Sequence, residues 1–380
     1  MQAQRAGTVS ARARSKDSTW LRWCDYCDEL GVDPMLDNVA DPIPFLQVFA
    51  ERWRTGKIAP SQKSVKSRTV EAALRSIGQT MASVGANDFR LNAQGKITYR
   101  LQQQLKGYAR KDAPPTRAKP IPFTIVDHAN RTAKTCTDPL SLAIADVATI
   151  GFFFLLRPGE HTLPSAQSDS TPFRLQDVNF RLGALFLNAA TGDIDRIKLA
   201  TFSTLTFTTQ KNGVSGETIG HARSDHSFTC PVLALIRRVC HLRLHHAPPT
   251  TPLCTVYRSP RDITHVTPAL LTAQLRCSAT ALYSLLGFAP ADVSACALRA
   301  GGAMALLCAQ VDTDIIKLVG RWKSDVMLRY LHLQAYPHMS KFAALMVRGG
   351  NFRLLSHQNI PAAAVPLFAA ATITDPEKGL

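Results

Sequence analysis

The chain has 380 residues, 46% of them hydrophobic, enough to bury a substantial core in two or three domains and to exclude a wholly disordered polypeptide. Its 44 Lys and Arg outweigh 28 Asp and Glu, a net charge of +16 that favours a polyanionic partner, nucleic acid above all. The surplus is divided evenly, +8 in residues 1–118 and +8 in 119–380, which suits a clamp around DNA better than a globule with a basic tail.

The opening "MQAQRAGTVSARARSKDS" holds Arg5, Arg12, Arg14 and Lys16 with no acid before Asp17. Residues 1–16 are expected to form a flexible basic arm lying on DNA; a transit peptide is the alternative. Residues 17–110 read as helical. "STWLRWCDYCDEL" has Ser18 as a candidate N-cap and Gly31 as its stop. "IPFLQVFAERWRTG", "VEAALRSIGQTMASVG" and "KITYRLQQQLKGYARK" repeat apolar residues at three-to-four spacing, giving four or five helices and no clear strand. Cys24 and Cys27 form the one CxxC, with Cys136 the next cysteine, so they are expected to be core residues rather than half of a zinc site. Nine cysteines without a secretory signal suggest reduced thiols in an intracellular protein.

"KDAPPTRAKPIP", residues 111–122, cannot continue a helix and is the expected linker. Beyond it "LSLAIADVATIGFFFLL", 140–156, reads as a buried helix, too short and too interrupted by Asp146 for a membrane span. "FRLQDVNFRL" and "GALFLNAA" alternate as strands do, and "TLTFTTQKNGVSGETIGHA" reads as a hairpin turning at "KNGVSG". "PVLALIRRVCHLRLHH" is a helix with Pro231 in its first turn; its His241, His245 and His246 have no acid between them and argue against a metal site. Helices dominate from 266 to 347. Asp312 caps one that stops at Gly320, and Ser324 or Asp325 caps the next, which carries Tyr330. The tail, 355–380, rich in proline and alanine, has no strong assignment.

Four stations stand in order along the second half: Arg157 in "LLRPGEHT", Lys211 in "TTQKNG", Arg299 in "CALRAGGAMALL", and Tyr330 in "LVGRWKSDVMLRYLH", 31 residues after Arg299. This order resembles the tyrosine recombinase (phage-integrase-like) family, and within it the transposon-borne recombinases of eukaryotes. The resemblance covers about 120–347 and, more loosely, the helical N-terminal half. It implies a mainly α fold with a small β-sheet or hairpin (α+β): a helical core-binding domain at 17–110 and a tyrosine-recombinase catalytic domain at 123–354.

The chemistry explains the residue types. Attack on a phosphodiester builds negative charge on its non-bridging oxygens, which two guanidiniums hold bidentately while staying charged. The resemblance assigns that clamp to Arg157 and Arg299. A phenol, with a pKa of about 10, must lose its proton as it attacks; Tyr330 is the implied nucleophile, with Tyr336 a weaker rival. The leaving 5′ oxygen must gain a proton, and Lys211 is the implied general acid. A 3′-phosphotyrosine stores the bond energy, so no cofactor is called for. Glu160 is expected to buttress Arg157, and Asp177 to belong to a strand turn. Two positions depart from the family pattern: Cys296 stands where histidine is usual, three residues before Arg299, and nine residues before Tyr330 stands Arg321, with Trp322 eight before. Trp322 is favoured as the packing and hydrogen-bonding residue, Arg321 being the alternative.

The resemblance implies strand cleavage and rejoining on double-stranded DNA, by a homotetramer on paired sites, for integration or excision of a mobile element, and a nuclear location in a eukaryote. Two other readings stay open: a DNA-binding protein that has kept the fold and lost catalysis, and a type IB topoisomerase-like activity without synapsis.

Overall fold

Apolar residues at helical spacing become four helices in the N-terminal part of the computed structural model, which describes residues 10–37, 39–113, 119–164, 171–208 and 216–322. They are α1 (Ser10–Leu30), α2 (Ile43–Arg54), α3 (Ser67–Ser83) and α4 (Tyr99–Lys111). Gly31, Gly56 and Gly85 follow the first three with φ of 66°, 88° and 86°, a left-handed backbone that costs glycine nothing. The first helix starts earlier than Ser18, which lies in its interior and caps nothing; residues 10–16 of the expected arm are its first turns. Trp23, Tyr26, Phe49 and Trp53 pack ring on ring, with centroids 5.2–5.7 Å apart. Cys27 is buried beside them and Cys24 half-buried. This core draws on residues 20–108 alone.

Asp112, directly after α4, is firmly held. Its carboxylate accepts from the Ser67 amide at 2.8 Å and hydroxyl at 2.6 Å and pairs with Arg54. Residues 114–118 of the expected linker lie outside the described residues. By packing, the chain divides into a unit of Met1–His332 and one of Leu333–Leu380; the described residues all belong to the first.

After α5 (Phe123–Lys134) comes α6 (Pro139–Phe153), the expected buried helix. Asp138 caps it by accepting from the Ser141 amide at 2.9 Å, with Pro139 in the first turn. The helix is apolar all round because both its sides are covered: Ile150 and Phe154 belong to one core, Ala143, Val147, Ala148 and Phe152 to another. Asp146, the one acid in the run, accepts from Arg237 Nε at 2.7 Å. The helix ends at Phe153, short of 156, and Leu155 then takes φ 49°. The turn leads into the single-turn α7 (Pro158–His161).

β1 (Val178–Leu182), β2 (Leu185–Asn188), β3 (Phe202–Thr206) and β4 (Thr218–Ala222) form one antiparallel sheet in the order β2-β1-β3-β4, with the short α8 (Ile194–Leu199) between β2 and β3. Phe180 pairs with Leu187 on one side and Ser203 on the other. The stretch Phe173–Asp177, read as strand from its alternation, is instead mostly a 3-10 turn in which Asp177 accepts from the Arg174 amide at 2.8 Å. In α9 (Pro231–Leu244), His241 Nε2 accepts from the Tyr257 amide at 3.0 Å. Then come β5 (Thr255–Tyr257), β6 (Ile263–His265), α10 (Pro268–Ala281), α11 (Ala297–Cys308) and α12 (Thr313–Val319). The protein is mainly helical with a small sheet, as expected. Among the described residues no helix is long and apolar enough to cross a membrane.

Candidate active site

The sequence around Arg157 leaves it little freedom. Pro158 keeps the residue before it out of helical conformation, and Arg157 sits at φ −75°, ψ 150°. The first turn of α7 then folds back on it. Glu160 Oε2 accepts from the Arg157 amide at 2.8 Å, and Glu160 Oε1 from its Nη1 at 2.8 Å. One turn on, His161 Nδ1 lies 2.9 Å from the Arg157 carbonyl oxygen, to which it can only donate. Burial pushes His161 down to about 4, so the ring is neutral and keeps that Nδ1 proton. Amide, carbonyl and guanidinium of Arg157 are thus each held by a neighbour in the same turn, while 26% of the side chain stays exposed. The expected buttress, Glu160, does what the sequence suggested.

Arg299 opens α11, and the double glycine after it lets the helix come close. A Cβ on Gly301 would stand 2.2 Å from the Ile121 carbonyl oxygen, and one on Gly302 2.2 Å from that of Phe152. No side chain fits either place, so α11 packs backbone against α6 and the segment leading into α5. Arg299 is 5% exposed. Its Nη2 donates to the Gly320 carbonyl, and its guanidinium lies 4.4 Å from the centre of the Trp322 ring, a cation–π contact. Trp322 therefore packs on the second arginine.

Arg321 is turned the other way. It occupies φ 57°, so the left-handed residue after α12 is Arg321 rather than Gly320 (φ −78°), and its side chain points inward, 8% exposed. Its Nη2 pairs with Glu160 Oε2 at 3.1 Å and donates to the Leu155 carbonyl at 3.2 Å; its Nη1 donates to the carbonyls of Val319 and Phe154 at 3.3 and 3.4 Å. The guanidinium stacks 4.0 Å from the centre of Phe207. Desolvation pushes it down to about 10, which still leaves it charged near neutral pH. One carboxylate, Glu160, is thereby shared by Arg157 and Arg321, and three successive residues, 320–322, touch both arginine stations.

The hairpin station is seen at its base. Phe207 donates its amide to the Glu217 carbonyl at 2.8 Å and accepts from Gly216 at 2.7 Å, continuing the β3–β4 ladder. Lys211 itself, like Tyr330 and Tyr336, lies outside the described residues. Cys296 is the N-cap residue of α11, solvent-exposed, its thiol held above the ordinary value by the protein packed around it. His161, Phe207 and the two glycines were not singled out by sequence reasoning. The glycine pair two and three residues after Arg299 was the readable signal of a close helix approach.

Such an arrangement can receive a phosphate. It offers the part-exposed guanidinium of Arg157 and the buried one of Arg299, whose charge is little screened. No family model and no curated relative matches the sequence. In fold, the chain is similar to the Tn1549 transposon integrase solved with transposon right-end DNA: TM-score 0.52, 12% identity, covering 92% of this chain and 97% of that one. It is also similar to the XerH site-specific recombinase solved on a palindromic difH substrate: TM-score 0.49, 13% identity, covering 86% and 77%. The first of these spans nearly the whole of both chains, and on it the chain has the tyrosine recombinase fold.

Proposed function

We propose that this protein is a site-specific DNA recombinase or integrase that cleaves and rejoins duplex DNA through a 3′-phosphotyrosine on Tyr330, for integration or excision of a mobile element. The observation that carries this is the junction of Arg157, Glu160, Arg299 and Trp322 through residues 320–322, in the fold of an integrase solved on transposon DNA. Arg157 and Arg299 hold the non-bridging oxygens of the scissile phosphate, and Trp322 keeps the Arg299 guanidinium in plane. Tyr330 attacks phosphorus as its phenol gives up a proton. Lys211 protonates the departing 5′ oxygen. Reversal by a second 5′ hydroxyl restores the phosphodiester and frees the tyrosine, so the number of high-energy bonds is unchanged. A homotetramer on two paired sites completes strand exchange.

The test is covalent capture. Incubated with a duplex nicked just 3′ of the cleavage position, the wild-type protein is expected to become linked to DNA. The Tyr330→Phe variant is expected to yield no adduct, and Tyr336→Phe to behave as wild type. An adduct with Tyr330→Phe would reassign the nucleophile. A second reading, a DNA-binding protein without catalysis, is favoured by one observation, the thiol of Cys296 at the usual histidine position. It predicts duplex binding with no adduct from any variant.

A further inference from the structure

We infer that Arg321 is a positioning residue that locks the parts of the recombinase site to one another, and does not itself contact the scissile phosphate. The inference rests on the recombinase reading above for its catalytic consequence, and on geometry for the rest. By place in the sequence Arg321 is an alternative to Trp322 as a group near the reacting phosphate. Its side chain is committed elsewhere. It donates to the carbonyls of Phe154, Leu155 and Val319, pairs with Glu160, and rests on Phe207.

The contacts fall on three parts of the site. Phe154 and Leu155 form the turn that delivers Arg157. Glu160 holds both the amide and the guanidinium of Arg157. Phe207 closes the base of the hairpin whose far end contains Lys211. Val319 ends α12, and the backbone of Gly320, one residue on, accepts from Arg299. Arg321 thus touches the Arg157 turn, the hairpin base and the end of α12 at once.

The chemistry suits a lock. Carbonyls left at the end of α6 need donors, and a guanidinium supplies five in a fixed plane. A lysine could answer Glu160 but could not reach several carbonyls in that plane or stack flat on a phenyl ring. Without Arg321 the carboxylate of Glu160 has Arg157 as its one guanidinium partner, and neither the turn nor the hairpin base is tied to residue 321. A phosphate approaching Arg157 must then compete with an undivided Glu160.

The experiment compares full-length wild type, Arg321→Met, Arg321→Lys and Glu160→Gln. Three quantities are read: affinity for duplex DNA, single-turnover adduct formation on the nicked duplex, and amide hydrogen exchange of the free protein. Arg321→Met is expected to bind duplex within about threefold of wild type and to lose adduct formation by roughly a hundredfold, the scale of a misplaced catalytic group. Its exchange at the Arg157 amide and at the amides of Phe207 and Gly216 is expected to rise at least tenfold. Arg321→Lys is expected to recover part of the adduct yield and part of the protection, in step. If Arg321→Met fails to fold, the lysine and Glu160→Gln variants carry the same comparison. Lost cleavage with unchanged exchange would mark Arg321 as a direct contact to the reacting groups and overturn the inference, as would binding that falls in proportion to cleavage. Should wild type itself form no adduct, the recombinase reading fails, while the exchange measurements still decide whether residue 321 locks the turn and the hairpin base.

Discussion

If the proposed cleavage chemistry holds, Cys296 is the side chain expected to limit it. A thiol neither accepts the phenol proton well nor hydrogen-bonds an anion strongly. The structure places it at the N-cap of α11, with the residue exposed. The positive end of α11 disfavours a charged ring and keeps a histidine neutral near pH 7, the form that can take a proton. Cys296→His is expected to raise the single-turnover cleavage rate by roughly ten- to a hundredfold, with duplex affinity and melting temperature little changed. A stable variant with no faster cleavage would show that the thiol is not what limits the step. His161 makes a second prediction at this scale. Its folded-state pKa of about 4 lies below its ordinary 6.5, so the neutral ring stabilises the fold fully above 6.5 and that contribution is lost as pH falls toward 4. Over that span it is worth about 3 kcal/mol. Between pH 6.5 and 5 the melting temperature of wild type is expected to fall, and that of His161→Gln to fall less steeply. Equal slopes would exclude His161 as the titrating group. Residues of this kind differ in how legible they were. Glu160 was readable because its partner is three positions away. Arg321 was not: its inward turn depends on a positive φ and on carbonyls 166 and 167 positions earlier, which no local pattern encodes.

At the scale of elements, the approach of α11 to α6 is set by absent side chains. Gly302→Ala would press a methyl group into the Phe152 carbonyl and the Leu155 side chain, 2.2 and 2.4 Å away. Relief requires the helix to shift, at a cost of about 1–3 kcal/mol, and the shift carries Arg299 with it. Gly107 in α4 is the control, since a methyl there meets nothing within 4 Å. Gly107→Ala is expected to be neutral or to stabilise by roughly 0.5–1 kcal/mol through helix propensity. Melting curves of the two variants check both signs, and adduct formation is expected to drop only for Gly302→Ala. The long helices and the β3–β4 hairpin were legible because their apolar periods run over enough residues to be distinctive. The three-residue β5 and β6 were not, being too short to show alternation, and Ser18 misled because a good capping residue also occurs inside helices. Where a helix begins depends on the turns before it, and here those turns were basic sequence that resembles a solvated arm.

For the whole molecule, the even division of charge and the proline-rich break motivate a clamp of two domains joined by residues 111–122. The core of residues 20–108 shares no member with the cores after residue 120. Limited proteolysis of the free protein is expected to cut within 114–117, and duplex DNA to protect those bonds. A fragment of 119–380 is expected to fold, to bind duplex weakly, and to show a shallower dependence of log affinity on log salt, because fewer phosphates are neutralised. A fragment with the slope of the full chain would refute the clamp.

The anchoring of Asp112 has a consequence of its own. Arg54 and Ser67 hold that residue on one side of the break, and on the other Ile121 is buried and donates to the Ala297 carbonyl at 3.4 Å. Only residues 113–120 lie between the two fixed points, so in the two-domain arrangement the tether can span no more than about 30 Å at full extension. If the two halves bind duplex separately, as the clamp requires, then once one is engaged the other searches a volume that small, at an effective concentration in the millimolar range. On that arrangement modest affinity in each half would suffice for long residence on a site, and lengthening the tether is expected to weaken the whole without altering a single contact to DNA.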